Sequence, residues 1–343
     1  MPGTPRIAIV TAAYNAASGV AGLLESLSRS GYRDFELCCC DDGSTDGTAE
    51  VLERFAGPFP VRLARHEVNR GVTAARNSAL ALARSPLLVF LDADVVVEPD
   101  TLSRLLDALE RSKADVVCGV YAPKPLGGGL SARYYASFAH HSFLGAGGAY
   151  NVFNAWCAIA RREVFDRLGG LRVVAQGVEI ENETLGRRIV AAGYLLVLDP
   201  SIAVAHAPRD LRKLRLIFTS RVYWWVKVFF AGGRRFETAL TTPSYAAGTV
   251  CAPAALALAL LSPLGAPWAA AALAAAAVFL GAYGPFLAFA WRTEGAGFAA
   301  LCAALSFCWA LPASACAAFS GTEELARLVL GLGPTLGGEH FEP

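Results

Sequence analysis

Nine cysteines are present, yet there is no C-x-x-C pair and no His/Cys spacing of a zinc site, which excludes a metal finger or a thioredoxin-like redox motif. Cys38, Cys39 and Cys40 share one apolar run and Cys302, Cys308 and Cys316 another, so they read as small buried filler. Net charge is also lacking: 30 Lys and Arg against 29 Asp and Glu leave +1, which gives no bulk electrostatic case for nucleic acid. No G-x-G-x-x-G follows the first apolar run and there is no Walker lysine, which argues against a dinucleotide or P-loop enzyme. Gly127-Gly128-Gly129 reads as a flexible loop rather than a phosphate cradle. Met1–Arg6 has no apolar h-region, so no signal peptide is expected and the first domain is expected in the cytoplasm.

The last scarcity is local. Between residues 246 and 319 only Arg292 and Glu294 are charged, although the chain has 343 residues. Mean hydropathy is +0.42, and the excess sits in that stretch. Ala266–Trp291 is uncharged throughout, and about 20 such residues cross a ~30 Å hydrocarbon core. Ala246–Leu264, broken by Pro253, and Ala296–Phe319 are two further candidates. A buried helical bundle is the alternative, disfavoured because little polar surface remains to face water. Eight Lys or Arg between Arg209 and Arg235 precede the first span, which fits a cytoplasmic start; three spans then leave the C-terminus outside. The expected layout is a globular domain over 1–208, a basic, aromatic interfacial segment over 209–240, a membrane region over 246–319 and a tail over 320–343.

Within residues 1–208 apolar runs alternate with helical periodicity. "RIAIVTAAYN" (Arg6–Asn15), "FELCCC" (Phe35–Cys40), "VRLARH" (Val61–His66), "LLVFL" (Leu87–Leu91) and "ADVVCGVY" (Ala114–Tyr121) read as buried strands. Between them, Ser18 is expected to cap a helix with Val20, Leu23, Leu24 and Leu27 on one face, and Asp46 the next helix; a third spans about Thr73 to Ala83. Asp100 is expected to open a helix with Leu102, Leu105, Leu106 and Leu109 inward. Such alternation implies an α/β fold with a mostly parallel sheet covered on both faces, with ligands beyond the carboxyl ends of its strands. Thr11, Asn15, Asp41, Asp42, Asp92 and Asp94 all gather at that rim. One acidic side chain there is ordinary, as a turn or a helix cap. Four after unrelated strands are a site, and like charges so close stay ionised only beside a cation. Carboxylate oxygens select Mg²⁺ or Mn²⁺, which can carry diphosphate oxygens.

"VTAAYN" (Val10–Asn15), "DDGSTDGT" (Asp41–Thr48), "NRGVTAARN" (Asn69–Asn77), "FLDADVVVEPD" (Phe90–Asp100) and "AGYLLVLDP" (Ala192–Pro200), in this order, resemble the family 2 glycosyltransferases, inverting enzymes with the GT-A fold. The resemblance covers roughly residues 5–235. The C-terminal layout, with Pro208-Arg209-Asp210-Leu211-Arg212 ahead of an aromatic segment and spans, is similar to membrane-tethered exopolysaccharide glycosyltransferases of the succinoglycan type. The resemblance implies Thr11 at the nucleobase, Asp41 and Asp42 at base and ribose with Asp42 favoured, and Arg76 on the nucleotide. It implies Asp92 facing ribose and metal, Asp94 as the most direct metal ligand, and His206 on metal or diphosphate. Asn154 and Trp156 fall on the acceptor side, where packing is the competing role.

The departure lies in "EIENETLGRRIVAAGY" (Glu179–Tyr194). Aligned on Leu185 and Arg188, Asn182 stands where the family's aspartate base is expected, and an amide has no useful basicity. Glu181 is the nearest replacement, with Glu179 and Glu183 behind it; a charged helix start is its bland alternative. The expectation is metal-dependent inverting transfer from a nucleotide-sugar to a membrane-associated, lipid-linked or glycan acceptor. It carries a multi-pass, cytoplasm-facing placement. The absence of the Q-x-x-R-W pattern favours one sugar per event over a polymer. Three rivals stand beside it: a polyprenyl-phosphate acceptor, which needs no strong base; a nucleotide-sugar-binding membrane protein without catalysis; and a nucleotidyltransferase.

Overall fold

A computed structural model describes residues 4–172, 180–231 and 242–336. Glu179, Arg234, Arg235 and Thr241 lie outside the described residues. In chain order the first part holds β1 (Ile7–Ala13), α1 (Ala17–Ser28), β2 (Phe35–Asp41), α2 (Thr48–Glu53), β3 (Val61–Arg65), α3 (Val72–Leu82) and β4 (Leu87–Leu91). Next come β5 (Val95–Val96), α4 (Thr101–Ser112), β6 (Val116–Tyr121), α5 (Leu130–Leu144), β7 (Gly148–Ala149) and β8 (Cys157–Arg161). After these come α6 (Arg162–Leu168), α7 (Glu181–Ala191) and β9 (Leu196–His206). The C-terminal helices are α8 (Leu211–Leu216), α9 (Val222–Ala231), α10 (Pro243–Leu261), α11 (Ala266–Glu294) and α12 (Ala296–Val329).

One sheet of nine strands runs β3-β2-β1-β4-β8-β6-β9-β5, with β7 on β9. Most residues of β1 and β2 and all of β4 are apolar, as strands covered on both faces require, and Cys38, Cys39 and Cys40 are fully enclosed. Burial pushes the Cys38 thiol up to about 12 and the Cys40 thiol to about 11, so both stay protonated filler. On α1, Leu23 and Leu27 are at most 1% exposed, each such burial worth roughly 1.5–3 kcal/mol. The sheet is mixed: β8 is antiparallel to both β4 and β6, while β3-β2-β1-β4 and β6-β9 are parallel. The chain runs outward from β1 to β3, then returns to β4 on the other side of β1. This reversal creates a switch point between β1 and β4, where α/β sheets bind ligands.

Two sequence expectations change, at Ser18 and at the end of the last helix, while Asp100 opens its helix as expected. Ser18 lies inside α1 and does not cap it. The start of α1 is served from the next loop, with Thr48 Oγ1 accepting from Ala16 N (2.9 Å) and Asp46 Oδ2 from Ala17 N (3.0 Å). Asp46 Oδ1 also accepts from Thr48 N at 3.1 Å, so one carboxylate satisfies donors at the starts of both α1 and α2. Asp100 occupies the N-cap position of α4 without a capping side-chain bond. The last helix, expected to end near Phe319, continues to Val329.

The chain divides into two units. Of the described residues, the first comprises those up to Gly127 with those between Ala146 and Ala207, and the second comprises Gly128–Gly145 with those between Pro208 and Leu336. Helix α5, inside the region read as globular, therefore groups with the C-terminal helices. Its Tyr134, Tyr135 and Phe138 are buried with Phe279, Tyr283 and Phe286 of α11. In the second unit three helical stretches, Pro243–Leu264, Ala266–Glu294 and Ala296–Val329, are long and apolar enough to cross a membrane. The 29 residues of α11 extend about 44 Å, more than the ~30 Å hydrocarbon core needs. Lys227 on α9, which sequence placed among the interfacial cations, is fully enclosed: its Nζ donates to Glu323 and Glu324, each at 2.9 Å.

Candidate active site

A very short strand positions the most important side chains. β5 has two residues, and it pairs antiparallel with the end of β9, Val95 opposite His206. Asp94, just before β5, accepts a hydrogen bond at its backbone oxygen from Ala207 N (2.9 Å). That pairing brings His206 beside the D-x-D turn. One ligand atom from each of Asp92, Asp94 and His206 lies within 4.8 Å of the others. All three are partly exposed, so the cluster is open to a ligand. Helix α1 supports the turn from beneath. A Cβ on Gly19 would lie 2.9 Å from the Ala93 carbonyl oxygen and 3.1 Å from Asp94 Cβ, so only glycine permits this approach.

The hydrogen-bond roles inside the cluster follow from chemistry. His206 Nδ1 is 2.5 Å from the Ala207 carbonyl oxygen, which can only accept, so Nδ1 carries a proton. In the neutral ring Nε2 is then an acceptor, and it faces Asp94 Oδ1 at 3.2 Å. Two acceptors at that distance require a cation between them, a proton or a metal. Asp92 already has a counter-charge: Arg76 Nη2 donates to Asp92 Oδ1 at 2.7 Å. Asp94 is the carboxylate that faces the imidazole. A hard dication with oxygen and imidazole ligands fits this donor set.

The remaining rim residues gather at the same strand ends. Thr11 on β1 is 1% exposed, and among the described residues its hydroxyl has no partner; Arg76 Nη1 is buried and likewise unpaired among them. Such orphaned buried groups are what a bound polar ligand would satisfy. Asp41 is buried, with Oδ1 accepting from Ser44 N at 3.3 Å. Asp42 accepts from Arg70 N (2.9 Å), Gly71 N (2.8 Å) and His66 Nδ1 (2.6 Å). Gly43, at φ +75°, lets this loop close on Val68 and Asn69.

On the β8 side, Asn154 is fully buried and donates through Nδ2 to Gly119 O at 2.8 Å, while its Oδ1 is unpaired among the described residues. Trp156 stacks on Tyr121 (centroids 4.6 Å), which meets the His206 ring edge-on at 4.8 Å. Asn182 accepts at its backbone oxygen from Phe153 N (2.9 Å), so Asn154 and the start of α7 share one wall. Glu181 is the first residue of α7 and partly exposed. Sequence reasoning missed His66, Tyr121 and the salt bridge from Arg76 to Asp92. The last was within reach, since a buried arginine near a strand-end carboxylate pair has few other partners.

This arrangement, with acidic strand ends at the β1/β4 switch point of a mixed sheet, is that of the GT-A fold. More particularly, residues 8–169 match the family described as Glycosyl transferase family 2. The uncharacterized glycosyltransferase YfnE of Bacillus subtilis (strain 168) is 34% identical over 117 residues, 34% of this chain and 30% of that protein. The chondroitin synthase of Escherichia coli is 33% identical over 107 residues, 31% of this chain and 16% of that protein. The match thus spans less than a third of either relative's length. Among solved structures, mannosyltransferase PcManGT from Pyrobaculum calidifontis, in complex with GDP-Man and Mn²⁺, has a TM-score of 0.62 at 24% identity, covering 90% of this chain and 88% of that one. S. aureus TarS 1-349 in complex with UDP-GlcNAc reaches 0.50 at 13% identity, covering 95% and 92%. At these identities the likeness establishes the fold.

Proposed function

We propose that the chain transfers a sugar, with inversion, from a nucleotide-diphosphate sugar to a membrane-associated acceptor in polysaccharide synthesis. The acceptor would be a lipid-linked saccharide. The observation that carries this reading is the pair of facing acceptors, His206 Nε2 and Asp94 Oδ1, 3.2 Å apart beside Asp92. Asp94, Asp92 and His206 would hold Mg²⁺ or Mn²⁺. When bound there, the cation offsets diphosphate charge and stabilises the nucleoside diphosphate as leaving group.

Thr11, Asp41, Asp42 and Arg76 would bind the donor nucleotide, with the unpaired Thr11 hydroxyl and Arg76 Nη1 finding partners there. Glu181 would take the acceptor hydroxyl's proton as its oxygen attacks the anomeric carbon from the face opposite the diphosphate. Asn154, Trp156 and Asn182 would line the acceptor side. The GDP-Man and UDP-GlcNAc held by the two structural neighbours support a nucleotide-sugar donor. A multi-pass placement with the first unit in the cytoplasm is supported by the three apolar helices and the basic residues Arg209, Arg212, Lys213, Arg215 and Arg221 before them.

One observation favours a second reading. Asn182 stands at the base position, which a polyprenyl-phosphate acceptor, already an anion, would tolerate. The deciding experiment supplies a panel of nucleotide-sugars with lipid-linked saccharide or polyprenyl phosphate and measures nucleotide release. Release that depends on the saccharide supports the first reading; release with polyprenyl phosphate alone supports the second. Binding without release under either acceptor would contradict both. Alkaline carbonate washing tests the placement, because release of the protein into the supernatant would contradict a spanning C-terminal region.

A further inference from the structure

His66 lies one residue beyond β3, and no step above uses it. Its ring is 7% exposed. Nδ1 is 2.6 Å from Asp42 Oδ1, and Nε2 is 2.8 Å from Ser78 Oγ on α3. A carboxylate only accepts, so Nδ1 carries a proton, and the neutral ring then receives the Ser78 hydroxyl at Nε2. Arg70 N also donates to Asp42 Oδ1, and Gly71 N to Oδ2. A carboxylate offers about four lone-pair positions, two on each oxygen. Those on Oδ1 are taken by His66 and Arg70, and one on Oδ2 is taken by Gly71. A single position on Oδ2 remains. Asp, His and Ser in this order also build hydrolytic sites, but Ser78 sits inside α3, whose backbone N–H groups are spent within the helix. A helix interior offers such a hydroxyl no oxyanion donors of its own, so nucleophilic chemistry is not the reading.

We propose that His66 is a positioning residue of the donor site, acting through Asp42. It fixes the plane of the Asp42 carboxylate so that Oδ2 presents one acceptor to one N–H or O–H of the nucleoside. It also holds Asp42 against Arg70 and Gly71, the loop that opens α3, the helix carrying Arg76. This rests on the nucleotide-sugar reading above.

The test is calorimetric titration of the full chain in detergent with GDP and with UDP, each with Mn²⁺, alongside the thermal midpoint of every variant. A hydrogen bond to a charged group lost in His66→Leu should weaken binding about 10- to 100-fold. His66→Asn places an amide N–H where Nδ1–H stands and should restore most of the affinity. His66→Gln reaches toward Ser78 instead and should stay weak. Ser78→Ala should cost only a few-fold, because Asp42 keeps its donor. Wild-type affinity in His66→Leu overturns the proposal. So does equal affinity of the Asn and Gln variants, which decides the matter even where the Leu variant does not fold. If the wild-type chain binds neither nucleotide, the donor-site reading itself fails and the proposal falls with it; the two failures are separated by the wild-type titration.

Discussion

Replacing Gly19 by alanine sets two effects of opposite sign against each other. Inside a helix the change favours folding by about 1 kcal/mol through propensity. Against this, the new Cβ would sit 3.1 Å from Asp94 Cβ and 2.9 Å from the Ala93 carbonyl oxygen. Carbon atoms prefer about 3.5 Å or more, so the D-x-D turn must retreat by roughly 0.4 Å, and overpacking of this kind costs about 1–3 kcal/mol. Metal sites tolerate distance errors of about 0.2 Å, so the displacement should weaken Mn²⁺-dependent nucleotide binding by about tenfold or more. Gly22 provides the control on the same helix: a Cβ there meets only Val96 Cγ2, at an ordinary 3.7 Å. Gly22→Ala should raise the thermal midpoint and leave affinity unchanged. Calorimetry with Mn²⁺ and a nucleoside diphosphate, paired with thermal unfolding, reads both effects. If Gly19→Ala behaves like Gly22→Ala, stabilised and binding normally, α1 does not set the position of the turn.

Three further outcomes are expected. Lys227→Met leaves the fully enclosed Glu324 carboxylate without its cation, a loss of about 3–5 kcal/mol that should lower the thermal midpoint in detergent; an unchanged midpoint would remove this ion pair from the stability account. Glu181→Gln should lower turnover by about 10²–10⁴ with nucleotide affinity nearly unchanged, while Asn182→Asp is tolerated; single-turnover transfer at full rate would exclude Glu181 as the base. The hydrogen bonds from Thr48 and from Ala17 N hold the Asp46 carboxyl below its usual range, so its contribution is complete above that range and is lost as pH falls through the depressed value. Asp46→Ala should therefore destabilise by about 1–2 kcal/mol at neutral pH, with the gap to wild type closing in acid unfolding measurements.

Legibility in the sequence varied with the range of the interaction. β1, β2 and β4 were readable because strands buried on both faces are unbroken apolar runs. Asp92 and Asp94 stood out because they end such a run, and Asp42 because it ends another. His206 could be suggested by resemblance, but its junction with Asp94 depends on a two-residue strand that carries no periodicity. The double duty of Asp46 was hidden because its second partner, Ala17 N, lies 29 positions away. The partners of helix α5 were not legible for a related reason: its buried aromatic residues pack with those of α11, well over a hundred residues on. Lys227 looked like one more interfacial cation because composition does not reveal that Glu323 and Glu324, almost a hundred residues on, enclose it.

The central claim is that Asp94, with Asp92 and His206, holds a divalent cation on which donor binding depends. It is tested most directly by titrating the wild-type chain and Asp94→Ala with a nucleoside diphosphate, each with Mn²⁺ and with chelator. The account predicts that chelator weakens wild-type binding strongly, that Asp94→Ala binds weakly with or without Mn²⁺, and that the variant keeps the wild-type thermal midpoint. Equal affinity of wild type and Asp94→Ala in Mn²⁺, or wild-type affinity indifferent to chelator, would contradict it.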